Sequence, residues 1–141
     1  MPLSEDQIAE LGKQTLEARK LSYSPYSNFA VGAVLVSSSG EFIAGANVEN
    51  ACYGAGICAE RTAMVKAITS GIKSFIAVGV ASSAGTTTSP CGICRQFLRE
   101  FAPVIDVYMF SEDGSYVLEP LTTLLPRSFG PSNLNIAEPL P

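Results

Sequence analysis

Apolar residues recur near the start of the chain at Ile8, Leu11, Leu16 and Leu21, the spacing of one face of an amphipathic helix. Ser4 followed by Gln7 makes a capping-box start, so the pattern predicts a helix from there to about Leu21. A turn-rich stretch, SYSPYSN, follows. Two apolar, β-prone runs, Phe29 to Ser37 and Glu41 to Val48, are separated by SSSG and read as a hairpin. Cys58 to Ser70 carries helix formers and stops at Gly71. Ser74 to Ala81 (SFIAVGVA) reads as a short buried strand, SSAGTTTSP as a loop, and Cys91 to Phe101 as a helix preceded by Pro90. Val104 to Phe110 and Ser115 to Leu118 read as strands around an EDG turn, and Pro120 to Leu125 as a short helix. The Pro-rich end, GPSNLNIAEPLP, reads as a tail loosely held from about residue 130.

The resulting order, α-β-β-α-β-α-β-β-α, is a hairpin followed by βαβ-like alternation. It implies an α/β fold with one mixed sheet covered by helices on both faces. There is no internal repeat and no low-complexity block, and 141 residues suit a single domain spanning 1–141.

Composition then narrows the function. Apolar residues make up 47 % and charged residues 16 %, an ordinary globular balance. The net charge is −4 and the isoelectric point is near 4.7, which argues against a binder of phosphate backbones. No apolar run is long enough to suggest a membrane span. The acidic N-terminus, MPLSEDQIAE, lacks the plan of a secretion signal, so a reducing, cytoplasmic setting is expected. In that setting four cysteines suggest a metal or catalytic thiolates before disulfides. The absence of histidine removes Ser-His-Asp and Cys-His nucleophiles and His-ligated zinc proteases together. Protons must be moved by Asp, Glu, Lys, Tyr, Cys or a metal.

Three cysteines sit in two blocks, ICAER with Cys58 and SPCGICRQ with Cys91 and Cys94, each at the start of an expected helix. Zinc binds thiolate, and the positive end of a helix stabilises an anion. The i, i+3 spacing of Cys91 and Cys94 places both sulfurs on one face of a first turn. Two helix starts meeting end-on can thus offer three thiolates to one metal. Glu60, two residues after Cys58, can reach the metal's open position; three protein ligands with a water is the catalytic zinc pattern. Such a zinc lowers the pKa of water from 15.7 to roughly 7. Three thiolates leave the cluster with an excess negative charge, which the adjoining Arg61 and Arg95 could offset by hydrogen bonding to the sulfurs. The rival arrangement is a closed four-thiol structural zinc with Cys52 as the fourth ligand. Cys52 stands outside any paired C-x-x-C, and reads as a small buried apolar residue.

The blocks NVENACYGAGICAERTA and SPCGICRQ, with SYSPYSNFAVGA before them and LLPRSFGPSNL after, resemble the motifs of the cytidine deaminase family in its small homotetrameric, three-cysteine form. The likeness covers nearly the whole chain; IAEPLP lies outside it. It implies a three-layer α-β-α fold around a mixed five-stranded sheet. It also implies one zinc per chain on Cys58, Cys91 and Cys94, with Glu60 as the catalytic proton shuttle and Arg61 balancing thiolate charge. Asn47 and Glu49 would hydrogen-bond the ribose hydroxyls, and Phe29 would pack on the pyrimidine. Phe129 would reach into a neighbouring subunit's site, with Tyr53 at an inter-subunit position. The implied reaction is hydrolytic deamination of free cytidine and 2'-deoxycytidine to uridine and 2'-deoxyuridine plus ammonia, as in pyrimidine salvage. A zinc-activated water would attack C4 while Glu60 moves protons. The implied partners are a pyrimidine nucleoside and further copies of the chain in a homotetramer with shared sites, with no nucleic acid and no membrane. Two other classes remain beside it. One is a deaminase of another small cytosine compound or of a base in a polynucleotide, the latter disfavoured by only nine basic residues. The other is a non-enzymatic module stabilised by zinc.

Overall fold

The computed structural model describes residues 2–139. Its elements are α1 (Glu5–Ala18), β1 (Val31–Ser37), β2 (Phe42–Ala46), α2 (Ala59–Thr69), β3 (Phe75–Ser82), α3 (Gly92–Phe101), β4 (Asp106–Phe110), β5 (Tyr116–Pro120) and α4 (Leu121–Leu124). The strands form one sheet in the order β2-β1-β3-β4-β5. β3 and β4 run parallel and the other three pairings are antiparallel, so the sheet is mixed and five-stranded.

The capping box at Ser4 forms as its sequence pattern requires, with Ser4 Oγ accepting from Gln7 N and Gln7 Oε1 accepting from Ser4 N. The expected extension to Leu21 differs in kind: α1 ends at Ala18 and the chain tightens into a 3-10 turn over Arg19–Leu21. The hairpin strands are also shorter than the apolar runs. Asn28 adopts a left-handed conformation (φ 56°), a geometry Asn tolerates, and this bend detaches Phe29 from the ladder before β1 begins.

Both faces of the central strands are buried. On one face Leu11 of α1 packs with Val34, Val36, Tyr108 and Phe110. On the other, Ala63 and Met64 of α2 and Leu98 of α3 pack with Leu35, Val78 and Val80. The result is the three-layer α-β-α arrangement. Two glycines let the layers approach closely. A Cβ at Gly32 would stand 2.5 Å from the Thr15 carbonyl of α1, and one at Gly45 would collide with the Ala63 amide of α2. Edge strand β5 leaves Tyr116, Val117 and Leu118 substantially exposed.

The segment after residue 130, expected to be loosely held, contains a 3-10 turn at Pro131–Leu134 with Pro131 buried. Glu138 makes an ion pair with Arg99 at 2.8 Å. Residues 140 and 141 of that tail lie outside the described residues. Among the described residues no helix is long and apolar enough to cross a membrane.

Candidate active site

Helices α2 and α3 begin at the same place. Cys58 is the N-cap of α2 and Cys91 the N-cap of α3, both extended. Neither thiol caps its own helix, which leaves both free to face each other across the junction. Cys94, one turn into α3, is fully buried and joins them. The three Sγ atoms lie within 4.8 Å of one another, and Cys58 and Cys91 are 3.8 Å apart. Three sulfurs each ~2.3 Å from a common tetrahedral centre stand about 3.8 Å apart, so these thiols suit zinc in spacing as well as chemistry.

Cys52 is outside this group and exposed, which corrects its assignment as a buried apolar residue. It precedes the surface 3-10 turn at Tyr53–Ala55, so its side chain meets solvent and not the core. Among the described residues the group has three thiols, which leaves a coordination position open.

Electrostatics at the junction favour anionic sulfur. Hydrogen bonding from Cys94, then from Arg61 and Cys91, pulls the Cys58 thiol down to about 5. Cys94 moves up, because it shares a hydrogen bond with Cys58 and is buried, so one thiolate beside another is opposed. Arg61 Nη2 donates to Cys58 Sγ at 3.4 Å. Arg95 behaves otherwise than expected. Its guanidinium donates to the Pro90 carbonyl (2.8 Å), the Leu124 carbonyl (2.7 Å) and Ser89 Oγ (3.0 Å), and to no sulfur. One residue beyond Cys94 along the helix, it points at the neighbouring loop instead of the thiols.

Glu60 sits in the first turn of α2, 3 % exposed. Burial pushes its carboxyl up to about 7, with a smaller contribution from the Cys58 charge. It lies with Cys58 and Cys91 in a cleft of about 320 Å³ whose apolar walls are Phe29, Val31 and Val80. Asn47 and Glu49 also line this cleft. Asn47 is held by its own amide: Oδ1 accepts from Val31 N (2.9 Å) and Ser22 Oγ (2.6 Å), and Nδ2 donates to the Phe29 carbonyl (2.8 Å). Its amide thus fixes the segment that carries Phe29. Glu49 Oε1 accepts from the backbone N–H groups of Tyr26 (3.1 Å) and Ser27 (3.0 Å), and Oε2 from the Ser27 hydroxyl. The Ser27 hydrogen bonds hold its carboxyl below the usual range, so it is an oriented, fully charged acceptor.

Two sequence-selected aromatics are elsewhere. Tyr53 is 81 % exposed in an adjoining hollow that shares Ser27 and Glu49 with the cleft. Phe129 is 59 % exposed, outside the cleft of its own chain. The cleft also uses Ser27, Thr88 and Ser89, which were not singled out in the sequence. The available signal was the run of hydroxyl residues in TTTSP placed directly before Cys91, at the mouth of a helix start.

Comparison with known proteins agrees with this geometry. Residues 5–111 match the family described as the cytidine and deoxycytidylate deaminase zinc-binding region. A cytidine deaminase of Halalkalibacterium halodurans is 40 % identical over 124 residues, covering 87 % of this chain and 94 % of that protein. One from Sporosarcina psychrophila is 37 % identical, covering 92 % of this chain and 96 % of its own. The crystal structure of cytidine deaminase from Burkholderia pseudomallei superposes with a TM-score of 0.83 at 37 % identity, covering 90 % of this chain and all of that one (100 %).

Proposed function

The chain belongs to the cytidine and deoxycytidylate deaminase family, and from that premise we propose that it deaminates free cytidine and 2'-deoxycytidine by hydrolysis, releasing ammonia. The observation that carries this reading is Glu60: a carboxyl pushed up to about 7, buried in a cleft beside three thiols spaced for zinc.

Cys58, Cys91 and Cys94 would hold one zinc per chain, with Arg61 offsetting the excess thiolate charge. Zinc bound there supplies a Lewis acid that acidifies water and so provides a nucleophile near neutral pH. Glu60 does the proton work. Its carboxylate takes one proton from the attacking water and delivers it to N3 of the base, then carries the remaining hydroxyl proton to the amino group, so that C4=O forms as the C4–N bond breaks and ammonia leaves. Burial raises the carboxyl's affinity for a proton above that of an exposed glutamate, which favours its accepting one from water.

Phe29, Val31 and Val80 offer apolar surface to the pyrimidine ring. Glu49 is charged and oriented to accept from ribose hydroxyls, and the second N–H of the Asn47 amide is available to donate. A cleft of about 320 Å³ suits a single nucleoside, which favours a free substrate over a base in a polynucleotide.

The chain acts as one domain within a homotetramer that completes each site with Phe129 of a neighbour. Support comes from the exposed Phe129, Tyr53 and Ile93, large apolar residues that a second subunit would cover. A cytoplasmic role in pyrimidine salvage follows from this substrate class. The test is direct: the purified protein is given cytidine, and uridine and ammonia are measured, with the wild type, Glu60→Gln and a zinc-chelated sample in parallel. Turnover in the wild type alone supports the reading, and turnover equal in all three refutes it.

A further inference from the structure

The segment that carries Phe129 is tied to α3 at successive residues. Gln96 Nε2 donates to the Phe129 carbonyl at 2.9 Å, and Arg99 Nε donates to Ser128 Oγ at 2.9 Å. A Cβ at Gly130 would collide with the Arg99 guanidinium, so the backbone passes directly against the cation. That guanidinium is itself held from the tail. Arg99 Nη1 and Nη2 donate to the two oxygens of Glu138, both at 2.8 Å, a bidentate pair. Ser132 Oγ donates to Glu138 Oε1 at 2.8 Å, which orients the carboxylate in turn.

We propose that Arg99 and Glu138 form a clasp that sets where Phe129 stands, making Glu138 a positioning residue for closure over the nucleoside base. The proposal rests on the reading that Phe129 completes a neighbouring site. Glu138 lies in IAEPLP, the stretch outside the motifs that carry the family resemblance.

The physical logic runs through Arg99. It is a mostly buried cation whose planar fork is satisfied on one side by Ser128 and on the other by Glu138. Losing the carboxylate leaves the fork free to rotate, and Ser128 and Gly130 lose the surface they rest on. The Phe129 ring, already projecting outward, then has more conformations to give up when it packs on a ligand. A loss of that kind weakens binding without touching the groups that move protons, so it belongs in KM and not in kcat. The Arg99 hydrogen bonds hold the Glu138 carboxyl down at about 2, so the clasp stays charged throughout the neutral range.

The test is a double-mutant cycle in the full-length zinc enzyme: wild type, Glu138→Gln, Phe129→Ala and the double variant, with cytidine kinetics, zinc content and Tm for each. Glu138→Gln should raise KM roughly 3- to 10-fold, the scale of ordering one freed side chain on binding, with kcat and zinc content close to wild type. The double variant should match Phe129→Ala alone, because the clasp acts only through that ring. A lower Tm with unchanged KM in Glu138→Gln overturns the clasp and makes the pair merely structural. A KM effect that persists undiminished in the Phe129→Ala background overturns it as well. If Phe129→Ala raises KM and Glu138→Gln does not, the clasp fails while the Phe129 reading stands; if Phe129→Ala is silent, both fail.

Discussion

Replacing Glu60 by Gln should do two opposite things: remove most turnover and stabilise the fold in neutral and alkaline buffer. The carboxyl's ordinary value of 4.5 is raised, chiefly by burial, to about 7. A group raised in this way contributes its full stability below about 4.5, as the neutral acid, and loses it as the pH climbs through about 7. At ~1.4 kcal/mol per pH unit, ionising Glu60 inside the fold costs about 3 kcal/mol above that range. Gln has the same size and no proton to lose. At about 3 °C per kcal/mol for a chain of this length, the variant should melt up to ~10 °C higher near pH 8 and about level with the wild type near pH 4.5. Zinc on the thiols draws the carboxyl back down, so the gain is largest in zinc-stripped protein and smaller in the loaded enzyme. Meanwhile kcat should fall by about 10²–10⁴ or more, the usual contribution of a general acid-base group. Thermal melts at both pH values and cytidine turnover, at one protein concentration, check both halves. A Tm gain that does not grow with pH refutes the burial argument, and near-normal kcat with zinc intact refutes the proton-shuttle role.

Cys91→Ala should lose both zinc and activity, whereas Cys52→Ala should retain zinc and most turnover, because its thiol is exposed and apart from the cluster; metal analysis of the two variants decides between a three-thiol and a four-thiol site. Arg61→Ala should weaken zinc retention and lower kcat by leaving the thiolates uncompensated, and a second change of one ligand cysteine to His should recover part of the loss; competition with a chelator reads the effect. Gly45→Ala and Gly32→Ala should each cost about 1–3 kcal/mol by overpacking, but only Gly45→Ala, which presses on α2, should also reduce kcat in the molecules that remain folded. The Tm advantage of the wild type over Glu138→Gln should be full above about 4.5 and vanish as pH falls toward about 2, since a depressed carboxylate stabilises only while charged.

How much of this was legible in the sequence follows from how local each feature is. Each half of the thiol cluster was legible because its determinants are local, a cysteine at each N-cap and a third one helical turn on, whereas the meeting of the two helix starts, 33 residues apart, was implied by the family resemblance. The alternation of strands and helices was legible for the same reason, down to the capping box at Ser4. Arg95 was misread because neighbourhood along the chain is not neighbourhood in space: one step along α3 from Cys94 rotates the side chain by about 100° and aims it at the loop before the helix. Cys52 was misread because the exposure of a small residue depends on where its turn sits on the finished surface, and no periodicity encodes that. The pairing of Arg99 with Glu138 left no sequence signal. Its partners are 39 residues apart and meet only after β4, β5 and α4 have folded the tail back onto α3.

The same geometry explains why a site this unfavourable for stability can persist. It holds a buried carboxyl raised to about 7, one thiolate-prone sulfur beside another, and an Arg61 Nε with no hydrogen-bond partner among the described residues. Each disfavours folding by itself, since a buried unpaired polar group or charge is destabilising. What holds them together is the packing beneath. Ala63 and Met64, on the helix that presents Cys58, and Leu98, on the helix that presents Cys91, are fully buried against Leu35, Val78 and Val80. At Gly45 α2 lies so close to the sheet that a methyl group would not fit. The functional groups are therefore carried on rigid elements whose apolar undersides supply the stability that the helix starts lack. In the zinc-free protein, destabilisation should concentrate at those N-terminal turns. Hydrogen exchange after chelation should show the first hydrogen-bonded amides of α2 and α3, Thr62 and Arg95, losing protection while those of β1 and β3 keep theirs. Uniform loss across the sheet would mean that the metal supports the whole core and not the site alone.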